Sequence, residues 1–180
     1  MLVIGDTHIP RRAHDVPSRI KKELEAVYWD IVAFTGDLTT PDLIPWLKSL
    51  GAQLKIVRGN MDYLDLPDSE MFRVKGLKIG LTHGDIVYPR GDVTQLTEVA
   101  RRMNVDVLLS GHTHSPFITY VPSANILHVN PGSLTGVWGG GGGSMIPSYA
   151  ILKIDERIVE VCLVELRGNR LEGRCERYEL

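Results

Sequence analysis

Met1-Leu2-Val3-Ile4-Gly5-Asp6-Thr7-His8 opens the chain: a short aliphatic run fit for a buried strand, then at once a glycine, a carboxylate and an imidazole. The same phrase returns four times. Ile31 to Phe34 is followed by Gly36-Asp37, Leu54 to Val57 by Gly59-Asn60, Leu77 to Leu81 by His83-Gly84-Asp85, and Val105 to Leu109 by Gly111-His112-Thr113-His114. Runs of Val, Ile and Leu without polar alternation read as strands buried on both faces.

Helical patterns separate these strands. Pro17 precedes Ile20, Leu24 and Val27 at helical spacing, and Thr40-Pro41 precedes Leu43, Leu47 and Leu50, with Gly51 as the expected stop. Asp92 and Gln95 have the spacing of a capping box, and Leu96, Val99, Ala100 and Met103 make the inner stripe of the helix behind it. From Ser115 the pattern changes. Phe117 to Val121, Ile126 to Val129, Tyr149 to Ile154, Ile158 to Leu166 and Leu171 to Tyr178 read as successive strands, the last two joined by the turn Arg167-Gly168-Asn169-Arg170. An α/β first part running without a linker into a β-rich second part predicts one domain over 1–180, with two sheets face to face and helices outside.

Composition narrows the function. A chain of 180 residues, 43% of them hydrophobic, suits one sizeable core. Its net charge of -2 gives no broad electrostatic footprint for duplex nucleic acid or an anionic membrane, and leaves a local basic site open. No apolar run is long enough to span a bilayer, and the opening aliphatics meet Gly5-Asp6 too soon for a signal peptide, so a cytoplasmic protein is expected. Cys162 and Cys175 have neither metal-binding nor redox spacing and read as reduced thiols, with a disulfide closing the hairpin between their strands as the lesser alternative. Gly139 to Gly143 reads as a flexible surface loop, because no Lys-Ser/Thr pair follows to make a phosphate cradle.

In open α/β sheets ligands collect beyond the carboxyl ends of the strands. Asp6, His8, Asp37, Asn60, His83, His112 and His114 are therefore expected to converge. Imidazole with carboxylate and amide oxygen, and no thiolate, suits divalent Mn, Fe, Zn or Ni. Asp6 and His8, two apart on an extended chain, would point the same way and hold one ion, while a slight turn between His112 and His114 would let each serve a different ion. One oxygen of Asp37 can join two ions about 3.5 to 4 Å apart, a separation that one water can also bridge. Each of these residues taken alone is an ordinary turn residue. The seven together describe a two-metal hydrolase site.

Asp-x-His, Gly-Asp, Gly-Asn, His-Gly and Gly-His-x-His in this order resemble the calcineurin-like metallophosphoesterase superfamily, and within it the short single-domain YfcE-type phosphodiesterases. The resemblance runs from Met1 to about Ser133 and takes in Asn130-Pro131-Gly132-Ser133. It implies a four-layer αββα sandwich of two mixed sheets. It places Asp6, His8 and His114 on one metal, Asn60, His83 and His112 on a second, and Asp37 between them, with Asp37, Asn60 and His83 as catalytic positions. Two divalent ions per chain follow, Mn foremost, with Ni, Co, Fe or Zn as the other candidates. The implied activity is hydrolysis of a small phosphodiester or nucleotide-type substrate by a hydroxide bridging the metals, in a possible homodimer or homotetramer. The alternative is a non-catalytic metal-binding scaffold similar to the retromer phosphoesterase-like subunit.

Residues around the ligands have lesser roles. Asp62 and Asp85 lie just beyond Asn60 and His83 and are candidates for orienting them. Arg12, with Arg11 beside it, follows His8 and could meet a phosphate, although a solvated charge pair is the simpler reading. His14 fits a solvated loop, and His128 a sheet-face or core position. Many superfamily members have histidine after Gly-Asn; Met61 stands there in this chain and cannot donate a proton, so a strong general acid is absent from that position.

Overall fold

The structure, a computed structural model, describes residues 1–180. In chain order the elements are β1 (Leu2–Ile4), α1 (Ser18–Glu25), β2 (Trp29–Phe34), α2 (Ile44–Ser49, entered through a 3-10 turn at Pro41–Leu43), β3 (Gly51–Ile56), β4 (Ser69–Val74), β5 (Leu77–Thr82), α3 (Val93–Met103), β6 (Val107–Leu109), β7 (Phe117–Val121), β8 (Ile126–Asn130), β9 (Ser148–Asp155), β10 (Ile158–Arg167) and β11 (Arg170–Glu179). They build a six-stranded sheet of order β11-β10-β9-β1-β2-β3 and a five-stranded sheet of order β4-β5-β6-β8-β7. β1, β2 and β3 run parallel in the first sheet, as do β5, β6 and β8 in the second.

The period-two geometry of strands sorts the side chains into layers. Leu2, Ile4, Val32 and Phe34 face outward and pack with Ile20 and Leu24 of α1 and Leu47 of α2. Val3 and Ala33 face the other way, into a core shared with Ile79, Leu81, Val107, Leu127 and Val161 from both sheets. On the far side, Leu96, Val99 and Ala100 of α3 cover Leu108 and Ile126. The result is the αββα sandwich. No helix is long and apolar enough to cross a membrane.

Local departures from the sequence pattern have physical causes. Helix α1 ends at Glu25 and leaves Val27 47% exposed, because the Trp29 indole N–H donates to the Leu24 carbonyl (3.0 Å) and satisfies one of the groups a helix end leaves open. Gly51 opens β3 instead of capping α2; a Cβ there would lie 2.4 Å from the Trp29 carbonyl oxygen. The Asp92 carboxylate accepts from the Gln95 N–H (2.8 Å), but the Gln95 side chain turns to the Tyr88 backbone, so only half of the capping box forms. Strand β4 was not evident in the sequence, since its half-buried Glu70, Phe72 and Val74 alternate with exposed residues, and Glu70 pairs with Lys55 (2.7 Å). The expectation of free thiols is corrected. The turn after Arg167 sets a register that puts Cys162 directly opposite Cys175, and a disulfide joins them.

His128, in the middle of β8, is fully buried. Thr97 Oγ1 donates to the Val93 carbonyl (2.7 Å), so the His128 Nε2–H, 2.9 Å away, donates to Thr97. The other ring nitrogen is buried without a partner. Burial pushes this imidazole down from 6.5 to about 4. Above pH 6.5 it is neutral in both states; between pH 6.5 and 4 only the unfolded chain takes up the proton, so stability falls through that window. At roughly 1.4 kcal/mol for each tenfold change in proton affinity, the loss reaches about 3 kcal/mol at pH 4. Urea unfolding should therefore show the native protein losing about that much more stability between pH 7 and pH 4 than His128→Gln. Parallel pH profiles would remove His128 as the cause.

Candidate metal centre

Every sequence-predicted ligand lies beyond the carboxyl end of a parallel strand. Asp6 and His8 follow β1, Asp37 follows β2, Asn60 follows β3, His83 follows β5, and His112 and His114 follow β6. One donor atom from each of Asp6, His8, Asp37 and His114 falls within 4.8 Å of the others, and all four residues are buried. His8 Nε2 is 3.0 Å from His114 Nε2, which is 3.2 Å from Asp6 Oδ1. A second group adjoins the first: His83 Nε2 lies 3.1 Å from Asn60 Oδ1 and 3.2 Å from His112 Nδ1. Asp37 Oδ2 stands between the groups, 3.3 Å from His8 Nε2 and 3.5 Å from His83 Nε2.

The backbone reaches this arrangement by a route the sequence did not suggest. Asp6, His8, Asp37, His112 and His114 all have left-handed backbones, with φ of 51°, 49°, 57°, 67° and 54°. The extended chain expected between Asp6 and His8 is absent. Such conformations are costly for residues with a Cβ and persist where surrounding contacts hold them. Here the Asp6 N–H donates to the Gly36 carbonyl (2.9 Å), the His8 N–H to the Asp37 carbonyl (3.1 Å) and the Ser144 N–H to the His114 carbonyl (3.0 Å). Ser133 Oγ–H donates to the Asp6 carbonyl (2.7 Å). Glycine at 59 is required by close approach, since a Cβ would come within 2.2 Å of Asp37 Oδ1.

Neighbouring groups aim the donors. The His83 Nδ1–H donates to the Thr35 carbonyl (2.8 Å) and the His114 Nδ1–H to the Val137 carbonyl (2.6 Å), which turns both Nε2 atoms inward. Asp37 Oδ1 accepts the Met61 N–H (2.8 Å), leaving Oδ2 for the centre. Asp62 accepts the N–H groups of Asp37 (2.9 Å), Thr39 (2.6 Å) and Gly59 (2.8 Å), so it ties two ligand loops together through their backbones and orients neither Asn60 nor His83 directly. The Asn130 amide donates to the Gly111 carbonyl (2.7 Å). Thr35 and Val137 went unnoticed in the sequence because a backbone carbonyl carries no residue signature.

Electrostatics in the cluster are those of charges held together out of water. Burial would raise Asp37, but His83, the Met61 N–H and His8 hold it at about 2. Burial would lower His83, yet Asp37, Asp6 and the Thr35 carbonyl push it up to about 9. His114 is likewise raised against its burial by Asp6 and the Val137 carbonyl. Burial lowers His8 to about 4, and burial with the adjacent His83 lowers His112 to about 4. Asp6 Oδ1 is buried and makes no hydrogen bond, its 3.2 Å approach to His114 being poorly aligned. A carboxylate oxygen without a proton donor, facing inward-turned imidazoles, fits a divalent cation of the borderline N/O-binding kind.

The remaining candidates lie outside the cluster. Asp85 is exposed and makes no hydrogen bond to His83, and His14 is exposed. The Arg12 guanidinium donates to the Trp138 carbonyl (2.7 Å). The glycine segment, expected as a flexible surface loop, is exposed at Gly140, Gly141 and Gly142, while its two ends pack on His114: a Cβ at Gly139 would sit 2.7 Å from the imidazole ring and one at Gly143 3.0 Å from the His114 Cβ.

The fold and this cluster define a metal-binding αββα sandwich. A family model described as the calcineurin-like phosphoesterase superfamily domain matches residues 1–157, and the chain belongs to that family. It is 46% identical over 133 residues to a probable metallophosphoesterase of Methanocaldococcus jannaschii, covering 74% of this chain and 67% of that one. A probable metallophosphoesterase of Methanothermobacter thermautotrophicus is 42% identical over 136 residues, with coverage of 74% and 76%. Among solved structures, wild-type Vps29 of Entamoeba histolytica complexed with Zn2+ matches with a TM-score of 0.88 at 31% identity, covering 99% of this chain and 97% of that one.

Asp62 supplies the sharpest test of how the loops are held. In Asp62→Asn one carboxylate oxygen becomes an N–H2 group facing backbone donors, so at least one of three charge-assisted hydrogen bonds is lost. We expect a stability loss of about 2 to 4 kcal/mol by urea unfolding in EDTA, and weaker Mn2+ binding by calorimetry. An Asp62→Asn protein with native stability and native Mn2+ affinity would show that the loops are held by other contacts.

Proposed function

We propose that the protein is a metal-dependent phosphodiesterase working with two divalent cations, Mn2+ foremost. The observation that carries this is the position of Asp37 Oδ2, within 3.5 Å of an imidazole nitrogen from each of two donor groups. Asp6, His8 and His114 would hold one ion, Asn60, His83 and His112 the other, and Asp37 both. When bound, such ions supply a water acidified toward neutrality and positive charge against the phosphoryl oxygens. The chain's own part is positional. Thr35 and Val137 fix the ring orientation of His83 and His114, and Asp62 with Met61 fixes Asp37.

Met61 uses its N–H on Asp37, and its thioether has no proton for a departing oxygen. Esters with good leaving groups are therefore the natural assay substrates. Beside Asn60 opens a cleft of about 580 Å³, bordered by Asp85, Ile86 and Arg102, with room for the second group of a diester. The scaffold reading is favoured by one observation, the likeness to Vps29 over nearly the whole chain.

Hydrolysis of a bis-aryl phosphodiester separates the two. EDTA should abolish turnover and Mn2+ restore it, and Asp37→Asn, which keeps the side-chain shape but not the charge, should lose about 100-fold or more while remaining folded. Full turnover in EDTA, or native turnover by Asp37→Asn at limiting Mn2+, would refute the assignment. A protein that binds Mn2+ and hydrolyses nothing would favour the scaffold.

A further inference from the structure

The ligand loops carry exposed aromatic and guanidinium side chains a few residues beyond the ligands. Arg12 follows His8 by one turn, its N–H donating to the His8 carbonyl (2.8 Å). Tyr63 follows Asn60, Arg90 follows His83, and Trp138 adjoins the Val137 that holds His114. These side chains connect. The Arg11 guanidinium lies 4.9 Å from the Tyr63 ring centre, and that of Arg12 5.5 Å from the Trp138 ring. Arg90 donates to the carbonyl of Gly139 (2.6 Å), the residue packed on the His114 ring. These contacts join guanidinium and aromatic groups of the ligand-bearing loops into a rim drawn from both donor groups.

Two properties of the rim point to a ligand. Nine of the 13 arginines meet no carboxylate, and of these only Arg11, Arg12 and Arg90 lie in the loops that follow the ligands, the others being on β4, α3, the β9–β10 turn and β11. Three cations without counter-charges, on a chain of net charge -2, make a local anion-attracting field. Tyr63 is 80% and Trp138 56% exposed, so each ring keeps a face open beyond its arginine. A lone phosphate would use one guanidinium and no ring. A ligand that repeats phosphates and planar rings uses both kinds of group, as bases stack on aromatic side chains while the backbone follows positive charge.

We infer that this rim binds single-stranded oligonucleotide and presents one of its phosphodiester bonds to the metal centre, which rests on the phosphodiesterase assignment and names its substrate class. Duplex does not fit, because its bases stay stacked on one another and unavailable to Tyr63 and Trp138.

The test is fluorescence anisotropy of a labelled oligothymidylate titrated with the intact protein in EDTA, where hydrolysis does not intervene. Saturable binding is expected, with a log-log salt slope of about -2 from three guanidinium contacts at roughly 0.7 each. An abasic oligomer of the same length should bind about tenfold more weakly, and Tyr63→Ala and Trp138→Ala should each weaken thymidylate binding about tenfold with no effect on the abasic strand. Tyr63→Phe and Trp138→Phe should recover the loss. Equal binding of abasic and thymidylate strands, native affinity in both alanine variants, tighter binding of duplex, or no saturable binding would overturn the inference. Aryl diester turnover in Mn2+ is read alongside. Turnover without oligonucleotide binding would overturn the substrate class and keep the reaction, while binding without turnover would sustain the rim and count against the reaction.

Discussion

One carboxylate organises the site. Asp37 gives Oδ1 to the Met61 N–H and Oδ2 to the space between His8 and His83, while its own N–H is held by Asp62. Its position follows from the parallel pairing of β1, β2 and β3, which brings the loops after all three strands to one edge. The constraint is strict, because Asp37 is left-handed and packed so closely on Gly59 that no Cβ fits between them. Loss of that carboxylate would remove the one oxygen within 3.5 Å of an imidazole nitrogen from each donor group, leaving the Asp6 carboxylate, which accepts the His112 N–H (3.1 Å), as the remaining side-chain link.

Holding such a cluster out of water is costly, and the fold offsets the cost locally. Burying charges is tolerated where they are paired and hydrogen-bonded. Here the imidazoles of His83 and His114 face the carboxylates of Asp37 and Asp6, which raise their proton affinity against burial, and carbonyls of Thr35 and Val137 take the outer ring N–H groups. The polar cluster also sits at the strand ends, outside the apolar layer formed by Val3, Ala33, Ile79 and Leu127. Stability and chemistry are thus assigned to different parts of the same strands. The rim residues lie further out again, exposed, where open aromatic faces cost little packing.

Most of the architecture was legible because its signals are local. Aliphatic runs stopped by glycine gave β1, β2, β3, β5 and β6, and Asp92 marked the start of α3. The convergence of the candidate ligands could be argued from the strand-end rule alone. Other features depend on the folded chain. Both faces of β1 are apolar, so nothing in Leu2-Val3-Ile4 says which residue faces helix and which faces sheet. The meeting of Cys162 with Cys175 is set by hairpin register, and the left-handed backbones at Asp6 and His8 by the need to turn side chains back across the sheet ends. Asp62 was visible as a neighbour of Asn60, but its three backbone partners, spread over Asp37, Thr39 and Gly59, were not.

The central claim is that Asp37 is shared by two cations. Anomalous diffraction from crystals grown with Mn2+ tests it most directly. The account predicts two peaks about 3.5 to 4 Å apart with Asp37 between them, one bordered by Asp6, His8 and His114 and the other by Asn60, His83 and His112. A single peak, or a pair in which Asp37 touches only one ion, would contradict it.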